Sequence, residues 1–523
     1  MTVDPATDPT EITPPDPSTP TRPRWRRRLR RSLAWGVPTA LLVAWGIWLA
    51  NGPIAGVIGV WLPWDSADGT FLFKPYLQVG DNPRATDPER AEVVWHAADR
   101  DADWWVDLRI RPEGPWSRVP GRPEGRSVNL PKVDPHRIYR VPIGGLVPGG
   151  RFAYRVGIGG TTLFEAEGKA RVPAGRPSKV VIVGDIAAGT SAASAIAWRI
   201  GEARPDLVVI TGDIVYSRGR ISEYGRRFFP VYNADAADPA VGAPILRSTL
   251  VAAAPGNHDL LFRDLGLYPD ALAYFLAWSQ PLNGPIADPG SPNAPTLQGP
   301  ADRRAAYLAA AGPSYPRMAN FSYDSGDVHW LILDANHYVD WSDPALRSWV
   351  ARDLASAPPG AWRLVAFHQP GFQSSAAHAS EQSMRLLADV FEKAGVAIAF
   401  AGHVHEYQRS KPLTFRATGP AIPPYGTVEG TWTLDESYDG KATTVPKGVI
   451  YVVTGAGGAG LHDTIREARP TTWYPFTARL SSSVHSFTEM DVTADRLSLR
   501  QVAEDGRIVD AFDVTRTVPA PPR

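Results

Sequence analysis

Two histidines one residue apart, His403 and His405 in GHVH, close the apolar run GVAIAFA in a 523-residue chain that has only 11 histidines. On an extended backbone, residues i and i+2 share a face. A strand ending there aims both imidazoles at one point, and neutral imidazole is the commonest metal ligand. Groups of the same kind recur behind similar runs. Asp185 closes KVVIVGD; Asp213 closes DLVVITGD, with Tyr216 three positions on; Asn257 and His258 stand in APGNHDL; His368 ends WRLVAFH. In order the series is Asp, Asp-x-x-Tyr, Asn-His, His, His-x-His. Oxygen and imidazole donors without sulfur suit iron, zinc or manganese. Each member alone has an ordinary explanation, since Gly-Asp is common in turns and an isolated His-x-His is a weak signal. The ordered series is much harder to dismiss.

The elements that must position these groups can be read from the pattern. KVVIVGDIAAG is a strand-like run, SAASAIAWRIGEA a helical stretch, and DLVVITGDIVY a second strand-like run. Strand–helix–strand of this length predicts a βαβ unit with a parallel, buried pair. Asp185 and Asp213 then sit at the carboxyl ends of neighbouring strands, where ligand sites of open α/β sheets gather. Upstream, AEVVWHA, WWVDLRIR, HRIYRVPI and RFAYRVGIG are short β-rich runs, and VPGG reads as a turn. They predict a small β-sandwich over residues 71–174. His96 and His136 fall in it as ordinary strand residues.

Composition bounds the rest. A chain this long carries more than one domain, and 44% apolar with 21% charged residues describes a globular protein. Lys plus Arg and Asp plus Glu balance at 54 each, which gives no basic field for nucleic acid. Cys is absent, excluding disulfides, thiolate metal sites and a cysteine nucleophile.

The N-terminus differs. Residues 1–32 form a Pro/Thr-rich, then arginine-rich tail expected to be disordered and cytoplasmic. Residues 33–62 are apolar and uncharged, enough for a transmembrane anchor. By the positive-inside rule everything beyond about residue 65 lies outside the cytoplasm. LRRSLA also fits a twin-arginine export signal, a side possibility among so many arginines.

The motifs resemble those of the calcineurin-like metallophosphoesterases, and specifically the purple acid phosphatase branch. They are Gly184-Asp185, Gly212-Asp213-Ile214-Val215-Tyr216, Gly256-Asn257-His258-Asp259, His368 and Gly402-His403-Val404-His405. The first motif lacks the D-x-H of the wider superfamily, since Ala187 stands at its last position; Tyr216 is available in place of the missing ligand, as in that branch. The resemblance extends over about 71–515. It implies a fold of mixed α+β or α/β class, with a fibronectin-III-like sandwich at 71–174. A four-layer αββα metallophosphatase domain is expected after it, at 178–515.

The same resemblance implies a dinuclear metal site. One metal takes Asp185, Tyr216 and His405, the other Asn257, His368 and His403, and Asp213 bridges them. The pair is ferric iron with a divalent ion (Fe, Zn or Mn), and a hydroxide held by the metals attacks the phosphorus. His258 and His378 are the expected catalytic groups, with Asp259 orienting His258. His329, His337, His462 and His485 read as structural, and TGAGGAG as a turn. The expected protein is a membrane-anchored, extracytoplasmic phosphatase acting on a phosphorylated small molecule or exposed phosphoester. A phosphodiesterase with the same centre and a non-catalytic surface module are the alternatives. Loops 217–250 and 260–320 would decide between monoester and diester.

Overall fold

The computed structural model describes residues 60–63, 69–111, 113–422 and 426–516. The expected tail and nearly all of the expected anchor lie outside them. Among the described residues no helix is long and apolar enough to cross a membrane.

The first elements form two four-stranded sheets. One orders Phe71–Gln78, Glu89–Ala98, His136–Leu146 and Gly125–Val128; the other orders Ser117–Arg118, Trp104–Arg109, Arg151–Ile158 and Thr161–Lys169. All pairings are antiparallel, and Trp95 stacks on Tyr139 at 4.9 Å in the core between them.

Two larger sheets come next along the chain. The six-stranded one runs Leu250–Ala253, Leu207–Ile210, Ser178–Val183, Ser486–Val492, Arg496–Ala503, Ile508–Thr515. The first three pair in parallel, as the βαβ pattern requires. The seven-stranded sheet runs Phe321–Ser325, Val328–Ile332, Trp362–Ala366, Val396–Ala401, Ile450–Thr454, Tyr407–Ser410, Thr477–Ser481.

Alternation along these strands sorts the residues onto two faces. Val180, Ile182, Leu207 and Val209 share one core with Trp330, Ile332, Leu364 and Ile398, so the two sheets pack face to face. The opposite residues, Val181, Val183, Val208 and Ile210, pack under Ile196, Ala197 and Ile200 of the helix Ser191–Ala203. On the far side Leu331, Val365 and Ala399 pack under Leu346, Val350 and Leu354 of Pro344–Ala355. The result is four layers, helix, sheet, sheet, helix. Thr190 starts the first of those helices by accepting from the Ala193 amide at 3.1 Å.

The sandwich is fastened to this body. Phe73 stacks on Phe229 at 4.0 Å, and the Tyr76 hydroxyl donates to the Ala277 carbonyl at 2.5 Å.

Candidate metal centre

Every ligand candidate sits at or just beyond the carboxyl end of a strand. Asp185 follows Ser178–Val183, Asp213 and Tyr216 follow Leu207–Ile210, Asn257 follows Leu250–Ala253, His368 follows Trp362–Ala366, and His403 and His405 follow Val396–Ala401. The two sheets therefore bring groups far apart in sequence to one end of the sandwiched pair.

The turns carrying them are tight. Asp185, Asp213 and His403 adopt φ of 61°, 48° and 68°, the left-handed region that non-glycine residues seldom occupy. The motif glycines are demanded by contact. A Cβ on Gly256 would lie 2.1 Å from Asp213 Oδ1, and one on Gly402 would lie 2.7 Å from Asp185 Oδ2. Neither space could hold a side chain and the ligand together.

Two halves can be distinguished. In the first, the Tyr216 hydroxyl lies 3.0 Å from Asp185 Oδ1 and 3.1 Å from His405 Nε2, and His405 Nε2 is 3.3 Å from Asp185 Oδ1. His405 Nδ1 donates to the Gly460 carbonyl at 2.7 Å, which leaves Nε2 as the inward nitrogen. In the second half, His368 Nε2 lies 3.0 Å from Asn257 Oδ1 and 3.2 Å from Asp213 Oδ1. His368 Nδ1 donates to the Thr211 carbonyl at 2.8 Å. Asp213, His368 and His403 have ligand atoms all within 4.8 Å of one another.

The electrostatics fit a cation. Asp185, Asp213 and His368 are fully or almost fully buried, and two buried carboxylates are costly unless paired or bound to a metal. Without one, His368 takes up the charge. Burial pushes its pKa down, but Asp213 and Asp185 raise it to about 10. Burial, then Asp185, pushes the Tyr216 phenol well above its ordinary value. A phenolate ligand here requires a strong Lewis acid. Inward-facing imidazoles fixed by carbonyls, converging carboxylates, a phenol and an amide oxygen suit a pair of hard or borderline metal ions.

The expected catalytic histidines border the cluster. His258 Nδ1 donates to the Ser217 carbonyl at 2.6 Å, and Nε2 lies 3.9 Å from Asp213 Oδ2. Its ring packs 4.6 Å from Tyr216. His378 is 3.8 Å, centre to centre, from His403.

Asp259 departs from the expectation. Its carboxylate accepts from the amides of Gly256 (2.8 Å) and Ile214 (3.2 Å), bracing two ligand turns, and the Ser217 carbonyl orients His258 instead. Burial and then the Asp213 charge lift Asp259 to about 7.

Two residues at the centre carry no mark in the sequence. Glu381 bridges His378 Nδ1 (2.7 Å) and His403 Nε2 (3.0 Å); its only signal is lying three residues after His378 in an otherwise unpatterned loop. His462, expected to be structural, stacks on His405 at 4.0 Å and accepts the His405 amide at 3.2 Å. It follows the glycine-rich TGAGGAG turn, whose backbone brings it back to the site; nothing in its local sequence marks it. His329, His337 and His485 make no contact with any of the proposed ligands.

Residues 178–407 match the calcineurin-like phosphoesterase family, a span that contains all the ligand candidates. This segment is a calcineurin-like phosphoesterase domain. Purple acid phosphatase 23 of Arabidopsis thaliana is 32% identical over 113 residues, which are 21% of this chain and 24% of that protein. Mouse acid phosphatase type 7 is 25% identical over 222 residues, 38% of this chain and 46% of that one. The chain thus spans about a quarter to a half of the length of these curated relatives. Among solved structures, a purple acid phosphatase from yellow lupin (Lupinus luteus) seeds superposes with TM-score 0.59 at 20% identity. It covers 85% of this chain and 75% of its own. That likeness is one of fold.

Proposed function

We propose that the chain is a dinuclear-metal phosphatase that hydrolyses phosphate monoesters, with the phosphoesterase domain outside the cytoplasm. The observation that carries the reading is the convergence of Asp185, Asp213, Tyr216, Asn257, His368, His403 and His405 from separate strand ends onto one point. Asp185, Tyr216 and His405 would hold one ion, Asn257, His368 and His403 the other, with Asp213 between them. Ferric iron beside a divalent ion fits the phenol. When bound, the pair supplies Lewis acidity toward the phosphoryl oxygens and an activated water.

The chain's own residues do the rest. His258 faces the cluster through Nε2, and its Nδ1 proton is committed to the Ser217 carbonyl. Donating from Nε2 to a leaving alkoxide therefore requires the imidazolium, with the proton held at Nε2 before bond cleavage. His378, held by Glu381, lies against the ring of the proposed ligand His403. The sandwich is read as fibronectin-III-like, and the arginine cluster before the apolar run 33–62 supports a membrane anchor.

The test separates catalysis from metal binding. His258→Ala should keep both metals and lose about 10²–10⁴ in kcat, the usual range for a general acid–base group. Asn257→Ala should lose occupancy of one metal. Metal stoichiometry, and turnover on a panel of mono- and diesters, decide it. Metal loss from His258→Ala, or hydrolysis of diesters alone, would overturn the assignment.

A further inference from the structure

Beside His258 stands a cation that the hydrolytic chemistry does not use. Arg218 follows Ser217, the residue whose carbonyl fixes His258. Its guanidinium lies 5.7 Å from the ring centre of Phe262 and 5.1 Å from that of Tyr268. Phe262 in turn lies 6.3 Å from the His258 ring, nearly parallel to it at 21°, and meets Tyr268 edge to face at 5.7 Å. The His258 ring thus has Tyr216 at 4.6 Å and Phe262 at 6.3 Å, and Phe262 in turn carries Arg218.

Among the described residues no carboxylate pairs with Arg218, and its Nε is buried without a hydrogen-bond acceptor. The neighbouring Glu223 is committed elsewhere, accepting the backbone amides of Ser217, Arg218 and Arg220. Packing on aromatic faces orients a planar guanidinium and leaves its N–H edge for an oxyanion, which that edge matches in bidentate fashion. Without a carboxylate partner, the half-buried guanidinium is free to take an arriving oxyanion on its terminal N–H groups.

Resting on the phosphatase reading, we propose that Arg218, clamped by Phe262 and Tyr268, binds a second phosphoryl group of the substrate. Its preferred substrates are then phosphomonoesters that carry another phosphate, such as sugar bisphosphates. Arg218 selects among substrates; His258 and the metals act on whichever phosphate lies over them.

The experiment compares fructose 1,6-bisphosphate with fructose 6-phosphate by kcat/KM, and pyrophosphate with orthophosphate by equilibrium binding to the metal-loaded protein. Arg218→Gln should lower both preferences about 10- to 100-fold, the range of a charge-assisted bond. Arg218→Lys, with charge but no fork, should recover part of the loss. Phe262→Leu, which keeps the cation and loosens its clamp, should fall between and guards against misfolding of the arginine variants. A wild-type protein without either preference, or unchanged ratios in Arg218→Gln, overturns the proposal. Hydrolysis with unchanged ratios sinks this inference alone. An Arg218-dependent pyrophosphate preference in a protein that hydrolyses nothing sinks the catalytic reading and leaves the anion site standing.

Discussion

The sandwich and the metal centre each bury a pair of neighbouring histidines, but only the second pair has a member, His368, that its surroundings charge; burial pushes its neighbour His403 down as it does His96 and His136. His96 and His136 lie stacked at 5.5 Å with no accessible surface; His368 and His403 meet edge to face at 4.9 Å, also buried. Around the first pair are the Tyr76 hydroxyl and the Asp134 carbonyl, and one ring nitrogen of each histidine has no partner. Burial dominates there, pushing His136 down to about 4 and His96 well below its ordinary value. Around His368 two carboxylates outweigh burial and lift it to about 10. Burial alone makes a histidine neutral and inert. Carboxylates converging on its free nitrogen make it half of a cation site.

Removing one imidazole from each pair is the strongest way to break this comparison. His368→Ala deletes a proposed ligand, and since loss of groups merely supporting ligands costs about 10–100-fold in metal affinity, the loss here should exceed about 100-fold for one of the two proposed ions. Turnover should fall with it. His136→Phe should leave metal content unchanged. Metal titration of both variants checks this, and equal metal retention by the two would dissolve the distinction.

The same contrast explains what could be read from sequence. Asp185, Asp213, His368, His403 and His405 each follow an apolar run with strand periodicity, so type and position were both visible. The βαβ unit and the β-rich upstream segment were visible for that reason too. Glu381 and His462 lie in irregular loops whose course is set by packing against distant segments, as when the Gly460 carbonyl accepts a hydrogen bond from His405 Nδ1. Asp259 differs from its expected role because a carboxylate beside a histidine in sequence need not face it; its partners are backbone amides across the turn. No local pattern records such returns.

A fifth buried histidine sharpens the comparison outside the centre. His329 sits on Val328–Ile332 with Nδ1 at 2.7 Å from Asp324 and Nε2 at 3.0 Å from Asp353 of the helix Pro344–Ala355. Arg84 joins Asp324 at 3.0 Å, and Ser322 donates to Asp353 at 2.7 Å. Burial pushes the His329 pKa down, but the two carboxylates more than offset it and the net shift is upward. A raised folded-state value means the imidazolium stabilises the fold fully below about pH 6.5, the unfolded value. That contribution is lost as pH rises through the folded value. His329→Asn should therefore cost about 3 kcal/mol at pH 5.5, as for breaking a buried pair, and less at pH 9. Denaturant midpoints at the two pH values measure it; a larger cost at pH 9 would refute the bridge.

His136 should show the opposite sign with a smaller effect. Its folded value near 4 lies below the unfolded 6.5, so the neutral form is favoured by folding. Between those values the unfolded chain binds the extra proton, and stability falls as pH drops. At pH 5 the gap of about 1.5 units corresponds to about 2 kcal/mol lost relative to pH 8. His136→Phe keeps a ring against His96 and gives up the bond to the Asp134 carbonyl, costing about 1 kcal/mol at neutral pH. It also removes the protonation penalty. The variant should be the less stable protein at pH 8 and the more stable one at pH 5, so the two stability curves cross between them. Curves that run parallel from pH 8 to pH 5 would show that water reaches the His96–His136 pair, and that burial does not hold these imidazoles neutral.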